Sequence, residues 1–129
     1  MSRHPPAANE EEVLATLPKN FMRPCLLLLI REEASHGYDL LVRLDELGIR
    51  RTDPGGLYRT LRAMEREGLV ESRWDISEIG PPRRTYQLTE DGEDWLHAWA
   101  ATLSETGRVV EGFLKRYEAF HHVTSRAGA

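Results

Sequence analysis

The chain of 129 residues has little cysteine, no long apolar run and no surplus of positive charge. Cys25 stands alone, which excludes an internal disulfide framework and the multi-cysteine zinc modules and fits a reducing compartment, the cytoplasm by default. The longest apolar run, Cys25 to Ile30, falls far short of the roughly 18 residues a membrane span needs. Pro5 and Pro6 with Glu10, Glu11 and Glu12 do not make a signal peptide, so neither secretion nor membrane association is expected. Also missing are a nucleophile, base and orienting group at recognisable spacing, and a phosphate-cradling glycine loop ahead of a Lys-Ser/Thr pair. Adjacent His121 and His122, taken with His97 or His4, lack an acidic or thiolate ligand at metal spacing and read as solvated residues. No enzyme, metal or cofactor is expected.

The formal net charge of −4, from 17 Lys+Arg against 21 Asp+Glu, argues against a polyanionic partner when taken as a total. Its distribution argues otherwise. The window from Arg50 to Arg84 holds eight arginines against six carboxylates, a surplus of two, and the rest of the chain carries a deficit of six. Such segregation gains meaning only if the arginines share a face.

Residues 1–20 are polar and acidic and read as an N-terminal arm, with Val13, Leu14 and Leu17 in a short helix stopped by Pro18. Residues 21–89 read as one folded domain. A first helix over Pro24 to Glu33 is apolar nearly all round and belongs at the centre of the fold. Ser35 suits the N-cap of a second helix from about His36 to Leu47, with Leu40, Leu41, Leu44 and Leu47 at steps of three and four and Gly48 as its stop. A third opens at Asp53-Pro54 and closes before Gly68. At 100° per residue, Leu57, Leu61 and Met64 fall on one face, and Gly55, Arg59, Arg62 and Arg66 fall opposite.

After Gly68 the period drops to two. Val70, Ser72 and Trp74 alternate with Leu69, Glu71 and Arg73, and Arg84, Tyr86 and Leu88 alternate with Arg83, Thr85 and Gln87. Two short strands follow, joined by a loop from Asp75 to Pro82. Thr89 caps a last helix over residues 90–122, whose first turn carries Glu90, Asp91 and Glu93, the charge sign the helix dipole favours. A heptad seam of Leu96, Trp99, Leu103, Thr106, Val110, Phe113, Tyr117 and Phe120 runs along it. Some 32 residues make a rod of about 48 Å, longer than a domain of this size covers, so a second chain is expected to cover the rest. Gly107 and Gly112 lower helix propensity by up to about 1 kcal/mol each and suit either a bend or a close helix approach. Residues 123–129 read as a flexible tail.

The fold class expected is mainly α with a small β-hairpin: a winged helix-turn-helix followed by a long C-terminal dimerisation helix. A DNA major groove accepts one α-helix, and arginine pairs bidentately with guanine or binds phosphate. Gly55 and Gly56 let the backbone approach a phosphate, which helix-start amides attract.

The strings His36-Gly37-Tyr38-Asp39-Leu40-Leu41, Gly56-Leu57-Tyr58-Arg59-Thr60-Leu61, Met64-Glu65 and Gly68-Leu69-Val70 come first. Gly80-Pro81 to Arg84, Tyr86, Leu88-Thr89 and Gly92 follow. Together, over about residues 22 to 100, the chain resembles the PadR family of bacterial transcriptional regulators. The resemblance implies a homodimeric winged-helix protein, usually a repressor that binds an inverted repeat in a promoter, often its own, and in some members is released by a small effector. The short C-terminal region implies the smaller type, with one long dimer helix.

Weighed against a merely solvated face, Arg59 and Arg62 are the strongest candidate DNA contacts, and Arg66 lies nearer the far end of the helix. Tyr58, at the edge of the buried stripe, either packs its ring or gives its hydroxyl to phosphate, or does both. His36-Gly37-Tyr38 begins the second helix, where backbone amides can hold a phosphate; the alternative for His36 and Tyr38 is a structural role, the reading favoured for Tyr38. Arg83 and Arg84 alternate across a strand, so a regular ladder lets only one face DNA fully. Leu96, Trp99, Leu103, Val110, Phe113, Tyr117 and Phe120 are the candidate dimer contacts. Trp95 and Trp99, one turn apart, read first as dimer packing and second as the seat of a planar aromatic effector. Cys25 reads as a small buried hydrophobe. The partners expected are double-stranded promoter DNA, a second copy and a small-molecule effector. The rival reading is a winged-helix protein-interaction module without specific DNA binding, favoured by the acidic total.

Overall fold

The computed structural model describes residue 17 and residues 20–49, 52–76 and 80–127, with side chains as far as His121. These residues form α1 (Met22–Glu32), β1 (Ser35–His36), α2 (Gly37–Leu47), α3 (Pro54–Arg66), β2 (Val70–Asp75), β3 (Arg83–Leu88) and α4 (Glu90–Ala127). The expected arm lies outside the described residues, except that Leu17 and Asn20 are in non-helical backbone. The chain divides into two compact units, Met1–Leu96 and His97–Ala129.

In the first unit α1 is central, as its all-round apolar sequence requires. Cys25, Leu26, Leu27, Leu29 and Ile30 are buried against Leu40 and Leu44 of α2, the α3 stripe Leu57, Leu61 and Met64, and Leu69, Val70 and Tyr86. Each such leucine contributes about 1.5–3 kcal/mol relative to its exposed state. The stripe expected on α2 is narrower than its spacing suggests, because Leu41 is half-buried and Leu47, in the last turn, is exposed. That turn ends at Gly48, whose φ of +111° is the left-handed conformation that glycine adopts without strain.

The sheet order is β1-β3-β2, all antiparallel. Val70 pairs with Leu88, Ser72 with Tyr86 and Trp74 with Arg84, so this face runs from the core at one end to solvent at the other. The expected two-stranded hairpin is therefore completed by a third strand, Ser35–His36, paired with Tyr86 and Thr85. This corrects the reading of Ser35 as an N-cap. His36 occupies the N-cap position, and the buried Ser35 hydroxyl donates to the Glu33 carbonyl and accepts from Arg43. Arg43 also donates to the carbonyls of Leu29 (2.6 Å), which accepts the Glu33 amide as well, and of Glu33 (3.1 Å), and so ties α2 to the end of α1.

Thr89 caps α4 as expected, its hydroxyl accepting from the Gly92 amide at 3.0 Å and donating to the Gly68 carbonyl at 2.6 Å. Gly92 is buried where any Cβ would overlap the Leu69 carbonyl oxygen, so the first turn of α4 seats against the strand entry only because that side chain is absent. Arg31 of α1 and Glu93 of α4 form an ion pair.

In the second unit α4 continues unbroken through Gly107 and Gly112. Its 38 residues span about 57 Å. The helix reaches Ala127, five residues beyond the end expected at residue 122. From His97 to His121 only Trp99 and Leu103 are half-buried, and all other side chains are exposed. Tyr117 and His121 stack at 5.6 Å, and Glu111–Lys115 and Glu105–Arg108 pair along the surface. No helix among the described residues is long and apolar enough to cross a membrane.

Candidate nucleic-acid interface

Asp53 opens α3 with its carboxylate accepting from the Gly56 amide at 3.0 Å, and Pro54 fills the first turn, where no amide is needed. The stripe Leu57, Leu61 and Met64 is wholly buried, and this fixes the rotation of the helix. Opposite it, Arg59, Arg62 and Arg66 are exposed and Gly55 is half-buried. The arginine face expected from spacing is thus one continuous exposed surface. Its leading end differs from expectation in one respect. Asp53 occupies the Gly56 amide and lies 3.6 Å from the Arg59 guanidinium, so a carboxylate stands where a phosphate was expected.

Tyr58 is at the edge of the stripe, 40% exposed, with its ring lying over Gly37. A Cβ on Gly37 would meet the ring at 2.5 Å, so α2 and α3 approach closely here because residue 37 has no side chain. Tyr38 does not pack into the structure as expected; it is 69% exposed. The reason is rotational: with Leu40 and Leu44 buried, residue 38 points away from the core.

The wing is fastened at two places. Ser72 of β2 donates to Glu65 of α3 at 2.7 Å. The His36 ring Nδ1 lies 3.2 Å from both the Arg84 carbonyl and the Thr85 hydroxyl, and Nε2 lies 3.9 Å from Asp75. His36 is thereby a clip between the start of α2 and the wing. Arg83 and Arg84 are both exposed, and they differ in face: Arg84 lies over the Trp74 indole, 5.1 Å from the ring centroid, while Arg83 pairs with Asp75 in the ladder. Burial holds the Tyr86 phenol above its usual range, against the opposing pull of Arg84.

Two clefts flank His36. One, about 450 Å³, is lined by Tyr38, Tyr58, Trp74, Arg83 and Arg84 among others. The other, about 430 Å³, includes Glu33, Asp39 and Asp75. Sequence reasoning missed Arg43 and Trp74 as builders of this region. The period-two pattern did place Trp74 on the face of Val70 and Ser72, and only the register beside Arg84 shows what it does there.

Of the other candidates, Trp95 is exposed, and Leu96, Trp99 and Leu103 are half-buried. Val110, Phe113, Tyr117 and Phe120 are all exposed. Cys25 is buried, which pushes its thiol up to about 11 and leaves it unreactive. Among the described residues no group of three or more His, Cys, Asp or Glu is placed to hold a metal ion.

Residues 26–98 match the family model described as the transcriptional regulator PadR-like family. In fold the chain is similar to a PadR-like transcriptional regulator from Bacillus cereus, at 28% identity and a TM-score of 0.68 over 74% of this chain and 93% of that one. It is also similar to a PadR-like transcription factor from Bacteroides fragilis, at 29% identity and 0.63 over 78% and 97%. Bacillus subtilis PadR, solved in complex with operator DNA, is similar at 27% identity and 0.58, over 64% of this chain and 48% of that one. No curated protein sequence matches the chain.

Proposed function

Because this chain belongs to the PadR-like family of transcriptional regulators, a family of regulators and not of enzymes, we propose that it binds double-stranded promoter DNA as a homodimer and acts as a repressor. Residues 21–89 are the DNA-binding domain and residues 90–122 the dimerisation helix. The observation that carries this reading is α3, whose apolar stripe is wholly buried while Arg59, Arg62 and Arg66 stand together in solvent. Support also comes from the likeness to Bacillus subtilis PadR, which was solved with operator DNA. Arg59 and Arg62 read bases; Arg66, Arg83, Arg84, Tyr58 and His36 hold backbone; Gly55 and Gly56 allow close approach at the helix start.

The second copy is supported by the exposed seam Val110, Phe113, Tyr117 and Phe120, since apolar surface of this extent calls for a covering partner. A two-fold protein reads a two-fold site, so the operator is an inverted repeat with half-sites separated by about one or two helical turns. Release by a small aromatic effector belongs to the same reading and rests on Trp95 and Trp99, one turn apart in α4.

The test is a gel shift of the duplex upstream of the chain's own gene, with salt varied. Binding of one dimer per inverted repeat is expected, with affinity falling on a log–log plot by about 0.9 per phosphate neutralised. No binding at any salt, or a flat salt response, would leave the protein-interaction reading in its place.

A further inference from the structure

Among the described residues, the cleft between the start of α2, Tyr58 and the wing has no carboxylate in its lining. The cleft on the other side of His36 carries Glu33, Asp39 and Asp75. Two openings of nearly equal volume, separated by one histidine, therefore differ in the described residues that line them, aromatic and basic in one and mainly acidic in the other. The first is lined by Tyr38 and Tyr58, by Arg83 and Arg84, and by Trp74. Phenol hydroxyls and guanidinium groups are donors to a phosphate, and an exposed indole face is apolar surface suited to a deoxyribose. Trp74 is 62% exposed and Tyr38 69%, so the walls stand open to solvent. A site that engulfs a small molecule buries most of its ligand, which open walls do not. A strand lying along the surface fits better.

We propose that this aromatic and basic cleft seats a stretch of one DNA strand's sugar–phosphate backbone beside α3, with Tyr38 and Trp74 as contacts that join Tyr58 and Arg84. The proposal rests on the DNA-binding reading and adds to it two residues outside the arginine face. Tyr38 donates its hydroxyl to a phosphate oxygen. Trp74, held flat beneath Arg84, packs on a sugar. Gly37 makes the floor, because it alone lets the Tyr58 ring lie where it does. Contacts of this kind set position and carry no sequence information, so their loss weakens all duplexes alike.

The experiment uses the full chain, fluorescence anisotropy, a random-sequence duplex at low salt and the duplex upstream of its own gene. Tyr38→Phe and Trp74→Ala are expected to weaken both duplexes by the same factor, about tenfold, with thermal melts like the parent's and the salt slope unchanged, since neither removes a charge. Gly37→Ala, which displaces Tyr58, follows them. As a second readout, Trp74 is left as the sole indole by Trp95→Phe and Trp99→Phe, and its emission becomes shielded from acrylamide when the random duplex is added. Parent-like binding by the Tyr38 and Trp74 variants, or a loss confined to the upstream duplex, or an indole that stays fully quenchable, overturns the proposal. In those cases loss of binding by Arg59→Ala with Arg62→Ala leaves the DNA-binding reading standing. A parent that binds neither duplex overturns both.

Discussion

Helix α3 and the stretch of α4 from His97 to His121 are amphipathic by the same arithmetic, yet the chain treats their apolar sides in opposite ways. Leu57, Leu61 and Met64 of α3 are completely covered by α1, α2 and the sheet, whereas Phe113 and Phe120 of α4 are 67% and 73% exposed. The first stripe is satisfied within one chain and so fixes which side of α3 faces solvent. The second has no cover among the described residues of its own unit, apart from the half-buried Trp99 and Leu103, which is why the dimer proposed above assigns its cover to a second copy. Apolar periodicity thus marks one side of a helix in both cases, and it is the presence of a covering surface that separates the two.

The sharpest way to break this contrast is to strip the polar face of α3 and leave its buried face alone. Arg59→Ala with Arg62→Ala should leave the melting curve unchanged while weakening upstream-duplex binding by about 2–6 kcal/mol if both side chains read bases, as gel shifts would record. The reverse change, Leu61→Ala, should cost about 2–5 kcal/mol of stability, measured by denaturant unfolding, because a fully buried leucine leaves a cavity. Phe113→Ala on the open seam should act through assembly instead, shifting the monomer–dimer equilibrium by about 2 kcal/mol in sedimentation. A loss of stability independent of protein concentration would place Phe113 in an intrachain core.

Smaller effects refine the same comparison. Asp53→Ala removes the cap of α3 and should lower stability by about 1 kcal/mol, while strengthening DNA binding, because it also removes the carboxylate 3.6 Å from Arg59. Weaker DNA binding without any loss of stability would contradict that account. Cys25 supplies a pH signature of the first core. Its folded thiol is raised from 9.0 to about 11, so above pH 9 the unfolded chain releases a proton that the folded chain keeps, and stability falls as pH rises. The loss between pH 8 and pH 10 should be about 1 kcal/mol, and Cys25→Ala should remove that part of the slope in urea titrations at each pH.

Much of the head was legible because single-element periodicity carries it. The Asp53 cap, the α3 stripe and its arginine face, the Gly48 stop, the two hairpin strands and the Thr89 cap all follow from spacings within one element. The strand Ser35–His36 was not legible, since two residues have no period and pair only because the hairpin lies beside them. Nothing in the spacing singles out Arg43, because its role depends on the Leu29 carbonyl, fourteen residues earlier, lying against it. Tyr38 reads first as structural, while the rotation set by Leu40 and Leu44 turns it outward. Trp74 was read only as a strand residue; its pairing with Arg84 and its place beside Tyr38 and Tyr58 depend on the register of the sheet and the packing of α2 on α3.

The sequence by itself determined which segments are helical, which face of each is apolar, and that positive charge gathers on one helix and the base of one hairpin, because those properties depend on neighbours three, four or two residues apart. Only the tertiary structure decided that a histidine separates a cleft lined, among the described residues, by aromatic and basic side chains from an acidic one. That division joins residues from two helices, the end of a third and the sheet, and the charge a cleft presents is set by side chains brought together in space across long separations in the chain.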